Sequence, residues 1–156
     1  MPRPDEPRTP TASAAVGASL AGLPARQLDD AALAALRAPY AELIGFVPPR
    51  IQARTELEAR LDPELLRLQE AVRLRAMYPA CFDVKTSQLM LFGILLALMG
   101  DAARLHAIAA RRAGASWEEL HAVVGLAYLF RGLPAANLGA EILLKLAEAE
   151  SAGKTA

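Results

Sequence analysis

Apolar residues recur at helical spacing along most of the chain, and residues that start or stop helices separate the apolar segments. Asp29 or Asp30 can cap a first helix, which Pro39 is expected to kink or end. Residues 45–49 should then form a turn. Before this helix, residues 1–24 are rich in proline and small residues and lack a helical period, which predicts a disordered or arm-like segment.

The next helix is predicted to begin at Asp62-Pro63 and to end at Tyr78-Pro79. A capping residue followed by proline starts helices, whereas a residue that precedes proline disfavours helical backbone. The apolar face of this helix is expected to contain Leu65, Leu66, Leu68, Val72 and Met77.

A central helix is predicted between Asp83 and Gly100, followed by a helix from near Asp101 to Gly114. Apolar residues occupy every side of the central helix, and a domain of this size seldom encloses such a helix completely. Its continuous apolar run, residues 89–99, is shorter than the ~20 residues of a membrane span. We therefore expect a core helix that subunit contacts cover in part, and no membrane partner.

Ser116 and Glu119 have the spacing of a capping box, which predicts a helix from there to Phe130. Gly132 should break that helix, and Pro134 suits the first turn of the last one. Hydrophobic residues make up 54% of the sequence but aromatic residues only 5%, a composition that suits close helix packing. We predict one all-α domain of about six or seven helices over residues 25–150.

The charges balance, with 17 basic and 17 acidic residues, so no net field favours nucleic acid or an acidic membrane surface as a partner. The single cysteine, Cys81, excludes an intrachain disulfide and any Cys-X-X-Cys motif, and we expect it to fill the apolar core. Two histidines without a matching cysteine or carboxylate cluster predict no metal site. No secretory signal is apparent, and a cytoplasmic location is expected.

His106 is the strongest candidate for chemistry. Its helical neighbours one turn away on either side are all small, and they leave space around the imidazole: Ala102, Ala103, Ala109 and Ala110. The alternative is a half-buried histidine hydrogen-bonded to a carbonyl group. His121 is interpreted as structural.

Four segments carry a resemblance to a known superfamily: residues 83–89, Leu105-His106, residues 113–120 and residues 132–137. In order and spacing they resemble the carboxymuconolactone decarboxylase and alkylhydroperoxidase D-like superfamily. The peroxidase-like branch has two cysteines at positions that fall on Met99 and Ala102 here. Peroxide reduction in that branch needs two thiols, so the chain is not expected to be a Cys-X-X-Cys peroxidase.

The sequence looks like the cysteine-less decarboxylase branch, which keeps the histidine. This resemblance implies a compact helical alkylhydroperoxidase D-like fold and assembly into a homotrimer or homohexamer. It also implies an activity without a cofactor, namely loss of carbon dioxide from 4-carboxymuconolactone or a related ring-cleavage acid in aromatic-compound catabolism. It also implies a proton-transfer role for His106 as acid or base. Gln88, or Ser87 after a shift of one residue, falls near the family's carboxylate position, although it can also be an ordinary polar residue of the first turn.

An anionic acid or lactone substrate needs a cation, and Lys85 and Arg131 match the resemblance best. Tyr78 is a further candidate at the mouth of a pocket. For each, a surface or packing role is the alternative. A non-catalytic ligand-binding or scaffold protein of the same fold, and an isomerase or hydrolase acting on a related acid, stay open as alternative functions.

Overall fold

A computed structural model describes residue 20 and residues 22–153, which form seven α-helices and no strand. The helices are α1 (Asp30–Ile44), α2 (Pro49–Leu61), α3 (Pro63–Met77), α4 (Val84–Ala97), α5 (Ala103–Arg112), α6 (Trp117–Arg131) and α7 (Leu133–Ser151). The prediction of an all-α fold is confirmed. Most of the predicted arm-like segment 1–24, namely residues 1–19 and 21, lies outside the described residues.

Helix α1 continues through Pro39 to Ile44, so the expectation that this proline can end the helix is wrong. A proline inside a helix costs about 3 kcal/mol or more, because it removes a backbone hydrogen bond and crowds the preceding turn. Tyr40 and Ile44 follow the proline and are both buried in the main core. Burying two such side chains contributes about 1.5–3 kcal/mol each, which offsets that cost.

Helix α2 occupies residues to which the apolar pattern assigns no element. Its buried residues, Thr55 and Ala59, are polar or small, while Leu57 and Leu61 are exposed. The helix therefore lacks the apolar face by which sequence patterns reveal helices. With the start of the described chain, helices α1–α3 enclose a small core of their own, formed by Leu28, Leu33, Ala59 and Leu66.

Helix α3 begins as predicted, because the Asp62 carboxylate caps it by accepting a hydrogen bond from the N–H of Leu65 at 2.9 Å. Its predicted apolar face is wrong in part. Leu66 is buried and Met77 is half-buried, but three members of that face are exposed. The exposed residues are Leu65, Leu68 and Val72. The inward face instead carries Glu70, one turn after Leu66.

Helices α4–α7 form the main core, in which α4 packs against α5 and α6, and α6 packs against α7. A Cβ atom added at Gly139 of α7 would lie 2.6 Å from a methyl group of Val124 in α6. The close approach of these two helices therefore requires a residue without a side chain. Helix α1 joins this core mainly through α5.

The turn between α4 and α5 differs by two to three residues from the prediction. Helix α4 ends at Ala97 rather than at Gly100, and α5 begins at Ala103 rather than near Asp101. The left-handed position is Met99, with φ of 56°, and not the glycine that follows it. The N–H of Gly100 donates to the carbonyl of Leu95 at 2.8 Å and closes the turn.

One side of α4 faces the core and the other faces solvent. Phe92 and Leu96 are fully buried, whereas Met90, Ile94 and Leu98 are exposed. A single chain thus leaves this helix partly uncovered, as its all-round apolar sequence predicts, while the number of subunits stays a prediction. No helix within the described residues is both long and apolar enough to cross a bilayer.

Candidate functional site

Gln88 and His106 meet where α4 packs along α5. The Nδ1 atom of His106 lies 2.8 Å from the Oε1 atom of Gln88. Gln88 is fully buried one turn into α4, and His106 is partly buried in the first turn of α5. The structure therefore brings together the two residues predicted to be catalytic. Ser87, the alternative to Gln88, is buried but forms no side-chain hydrogen bond within the described residues.

The contact with Gln88 determines which imidazole nitrogen of His106 carries hydrogen. An amide oxygen accepts hydrogen bonds but does not donate them, so Nδ1–H of His106 is the donor. The Nε2 atom of the neutral ring then keeps its lone pair. The amide nitrogen of Gln88 is buried and has no hydrogen-bond partner within the described residues.

Burial lowers the pKa of His106 to about 4. The cause is desolvation, because an imidazolium loses its hydration in apolar surroundings. Three alanines of α5 contribute to those surroundings and are themselves buried: Ala103, Ala107 and Ala110. At neutral pH the imidazole is therefore uncharged, and it can accept a proton at Nε2.

Lys85 forms an ion pair with Glu119, with 2.7 Å between Nζ and Oε1. The other carboxylate oxygen of Glu119 accepts a hydrogen bond from the N–H of Ser116 at 2.7 Å, which completes the predicted capping box of α6. Lys85 thus ties the start of α4 to the start of α6. Its charge is already compensated by Glu119.

Arg131 and Tyr78 are both exposed. Arg131 is the last residue of α6, twelve residues after Glu119 and therefore about 18 Å from it along the helix axis. Tyr78 follows the last residue of α3. No hydrogen bond or ion pair within the described residues links Lys85, Arg131 or Tyr78 to His106, and a role of these three residues in substrate binding stays a prediction.

Cys81 is exposed, so its expected place in the apolar core is wrong. It lies in the connection between α3 and α4, where the backbone runs over the surface. His121 is also exposed, on the outer side of α6. No group of three or more histidine, cysteine or acidic side chains suited to a metal ion occurs in the part of the chain that the structure describes.

A buried charged cluster around Glu70 was not predicted. The Glu70 carboxylate is almost inaccessible and accepts hydrogen bonds from Tyr40 at 2.8 Å, from Arg73 at 2.8 Å and from Arg54. The Arg73 guanidinium also lies 3.8 Å from the centre of the Tyr40 ring. A sequence signal did exist, because a carboxylate one turn after the buried Leu66 lies on the inward face of α3.

The hydrogen bonds of this cluster decide its protonation state. Burial by itself would raise the pKa of Glu70, but the hydrogen bonds from Arg54, Arg73 and Tyr40 outweigh burial, and the net shift is downward. Burial and the hydrogen bond to Glu70 raise the pKa of Tyr40 to about 12. The cluster therefore holds a permanent carboxylate and joins α1, α2 and α3.

Four grooves can be traced over the described residues, and His106 lines none of these four. Two of them are almost wholly apolar, with volumes of about 420 Å³ each; one lies along α3, and the other lies between α4 and α6. We call it the α4/α6 groove, and its lining includes Met90, Gly93, Ile94, Val123, Leu126 and Phe130. A Cβ atom at Gly93 would approach Val123 to 3.0 Å, so this glycine lets the two helices come close together at the floor of the groove.

The model of the Carboxymuconolactone decarboxylase family matches residues 63–145, slightly more than half of the chain. The chain belongs to this family. The match runs from the start of α3 into α7 and includes both Gln88 and His106, whereas α1 and α2 of this family member lie outside it. Searches of curated proteins and of solved structures gave no match.

Proposed function

We propose that this family member is a cofactor-independent decarboxylase, or a related lyase, that acts on a small carboxylated lactone or ring-cleavage acid of aromatic-compound catabolism. The contact between His106 and Gln88 is the observation that supports this proposal. It presents a neutral imidazole with a defined tautomer, partly exposed, within the region that matches the family. A reaction that needs one mobile proton and no redox chemistry fits such a group.

The proposed reaction uses His106 as a proton carrier. A bound substrate carboxylate favours the charged imidazolium, so its approach raises the pKa of His106 from about 4, and Nε2 takes up a proton from solvent. The carbon–carboxylate bond then breaks, carbon dioxide leaves, and the electron pair delocalises into the conjugated lactone. The substrate carbon takes the proton from Nε2, which returns the imidazole to its neutral form.

This mechanism also supplies the positive charge that an anionic substrate needs. Lys85 is neutralised by Glu119, and Arg131 lies at the opposite end of α6. The two cations are too far apart to hold one small molecule together. The imidazolium that forms on substrate binding is a cation without a carboxylate partner in the described structure, because its neighbour Gln88 is neutral.

Ultraviolet-monitored turnover of 4-carboxymuconolactone tests the proposal. We expect turnover by the wild type and a loss of about 10²- to 10⁴-fold in kcat/KM for His106→Gln, the usual range for removal of a proton-transfer group. His121→Gln is the matched control, because this second histidine is exposed and outside the site. It should retain wild-type activity.

The pH dependence of the same assay separates a proton donor from a base. Because free His106 has a pKa of about 4, the protonated fraction falls about tenfold for each pH unit above that value, and kcat/KM should fall in parallel. A rate that rises with pH contradicts the donor role. A folded wild type without turnover rejects this substrate, and unchanged activity in His106→Gln rejects the assigned residue.

A non-catalytic scaffold or ligand-binding protein is the second candidate. It is favoured by the position of the α4/α6 groove, which is almost wholly apolar and is not lined by His106. This candidate predicts no turnover of any related acid. It also predicts that His106→Gln leaves ligand binding and assembly unchanged.

A further inference from the structure

One of the four grooves lies close to the contact between His106 and Gln88. It is formed by α1, the start of α4 and the end of α5, and it has a volume of about 350 Å³. We call it the α1/α5 groove, and its lining residues are Glu42, Leu43, Val84, Ala109, Arg112 and Ala113. Its volume lies within the range of small-molecule sites, about 300–1,000 Å³.

Helical spacing connects this groove to the proposed catalytic pair. Val84 precedes Gln88 by four residues in α4, and Ala109 follows His106 by three residues in α5. Residues at these spacings are neighbours on one face of a helix. Because α4 and α5 pack along each other, the groove begins about one helical turn, roughly 5 Å, from the contact between His106 and Gln88.

Arg112 is the cation that lines this groove. Its Nε atom donates to the carbonyl oxygen of Leu43 at 3.2 Å, and a terminal nitrogen donates to the carbonyl oxygen of Glu42 at 3.3 Å. Both bonds are long for N–H···O contacts, and both acceptors are neutral. A guanidinium has five N–H groups, so most of those of Arg112 have no acceptor within the described residues. The exposed guanidinium can therefore bind a further acceptor.

Arg112 differs from the neighbouring cations in having no carboxylate partner within the described residues. Lys85 is paired with Glu119, and Arg111 is paired with Glu150. Arg112 lies six residues after His106, which places it about 9 Å further along the axis of α5. The long arginine side chain can shorten this distance, so one small molecule can contact both residues.

We propose that Arg112 binds the carboxylate that the substrate retains, while the carboxylate to be lost lies at His106. This role rests on the proposed function. 4-Carboxymuconolactone carries two carboxylates and its decarboxylation removes only one, so the retained group needs a cation of its own. A guanidinium binds a carboxylate through two parallel hydrogen bonds, which fix the orientation of the acid. Arg112 thus determines which carboxylate faces His106.

Glu42 brings a charge of the opposite sign to the same groove. Its side chain is exposed and forms no ion pair with Arg112 within the described residues. A carboxylate at this position repels an acid that binds beside it. Removal of the charge on Glu42 should therefore strengthen binding of an acid, whereas removal of the charge on Arg112 should weaken it.

Calorimetric titration of the full-length protein with adipate, a dicarboxylate, tests this site without turnover. Arg112→Gln should weaken adipate binding about tenfold, the usual effect of losing a hydrogen bond between charged groups. Arg112→Lys keeps the charge and should bind within about threefold of the wild type. Glu42→Gln should bind about threefold more tightly. Arg104→Gln is the control, because it removes an exposed cation of α5 outside the groove and should bind like the wild type.

The turnover assay separates this role from that of His106. Arg112→Gln should raise KM for 4-carboxymuconolactone about tenfold and leave kcat nearly unchanged, because the retained carboxylate is bound equally in the ground state and the transition state. Turnover with an unchanged KM in Arg112→Gln rejects the role of Arg112 and leaves the lyase activity standing. A wild type without turnover whose adipate binding still depends on Arg112 rejects the lyase activity and supports the carboxylate site.

Three binding results would overturn the role of Arg112. The first is a wild type that does not bind adipate at about 10 mM, a concentration at which even weak sites fill. The second is equal affinity of the wild type and Arg112→Gln for adipate. The third is an equal loss in Arg112→Gln and Arg112→Lys with no gain in Glu42→Gln, which shows that the arginine acts through its hydrogen bonds to α1 and not through its charge.

Discussion

The low pKa of His106 has a measurable effect on stability. The folded protein holds this imidazole neutral down to pH of about 4, whereas an unfolded chain protonates histidine below about 6.5. Between these values the unfolded state binds more protons, so the free energy of unfolding decreases as pH falls. The stabilisation is fully present above pH 6.5, is lost progressively down to pH 4, and does not change further below that.

The size of this effect follows from the difference between the two pKa values. Each pKa unit corresponds to about 1.4 kcal/mol, so a shift from 6.5 to about 4 amounts to about 3 kcal/mol. Carboxyl groups also begin to titrate at the acidic end of this range. The effect of His106 is therefore the difference in the free energy of unfolding between the wild type and His106→Gln. Glutamine is neutral at every pH, and all other titratable groups are the same in both proteins.

Urea unfolding of both proteins from pH 7.5 to pH 4, at one protein concentration, measures this difference. We expect the free energy of unfolding of the wild type, relative to that of His106→Gln, to decrease by about 3 kcal/mol from pH 7.5 to pH 4. A constant difference would show that burial does not depress the pKa of His106. The neutral imidazole on which the proposed mechanism relies would then be wrong as well.

Two further predictions concern packing and buried charge. Glu70→Ala should destabilise the fold by about 3–5 kcal/mol in urea unfolding, because it leaves the guanidinium groups of Arg54 and Arg73 without their carboxylate. Glu64→Ala, on the exposed side of α3, is the control and should cost less than about 1 kcal/mol. Gly139→Ala should lower stability by about 1–3 kcal/mol because its new methyl group meets an α6 side chain at 2.6 Å. Gly125→Ala lies inside α6, where the new methyl group meets nothing within 4 Å, so it should instead raise stability by about 0.5–1 kcal/mol. Equal effects of the two glycine variants would refute the packing argument.

The helix boundaries that depend on local chemistry could be read from the sequence. Asp29, Asp62, Asp83 and Ser116 all accept hydrogen bonds from the backbone three residues later, as N-caps do. These interactions involve only neighbouring residues, so no knowledge of tertiary structure is needed to predict them. The starts of α1, α3, α4 and α6 could therefore be predicted from these caps.

The features that depend on distant contacts could not be predicted. Helix α1 continues past Pro39 because the core buries Tyr40, and that burial depends on the packing of α3 and α5. Tyr40, Arg54 and Glu70 of the charged cluster are 14 to 30 positions apart in the chain. Taken one at a time in the sequence, its charged residues have the pattern of surface residues. The exposure of Leu65, Leu68 and Val72 could not be predicted either, because their spacing fits an apolar face that points toward the core or toward solvent equally well.

Gln88 lies near the position at which the resemblance places the family's carboxylate, and a neutral amide there has a physical consequence for an anionic substrate. A carboxylate next to His106 would raise the pKa of the imidazole and would also neutralise the resulting cation, which would leave little net attraction for a substrate carboxylate. Gln88 fixes the ring by the same hydrogen bond without adding charge. In the proposed mechanism, the imidazolium that forms when a substrate binds is then paired with the substrate rather than with the protein. The charge on His106 would in that mechanism depend on the presence of the bound acid, because Gln88 cannot form the charged pair that a carboxylate would.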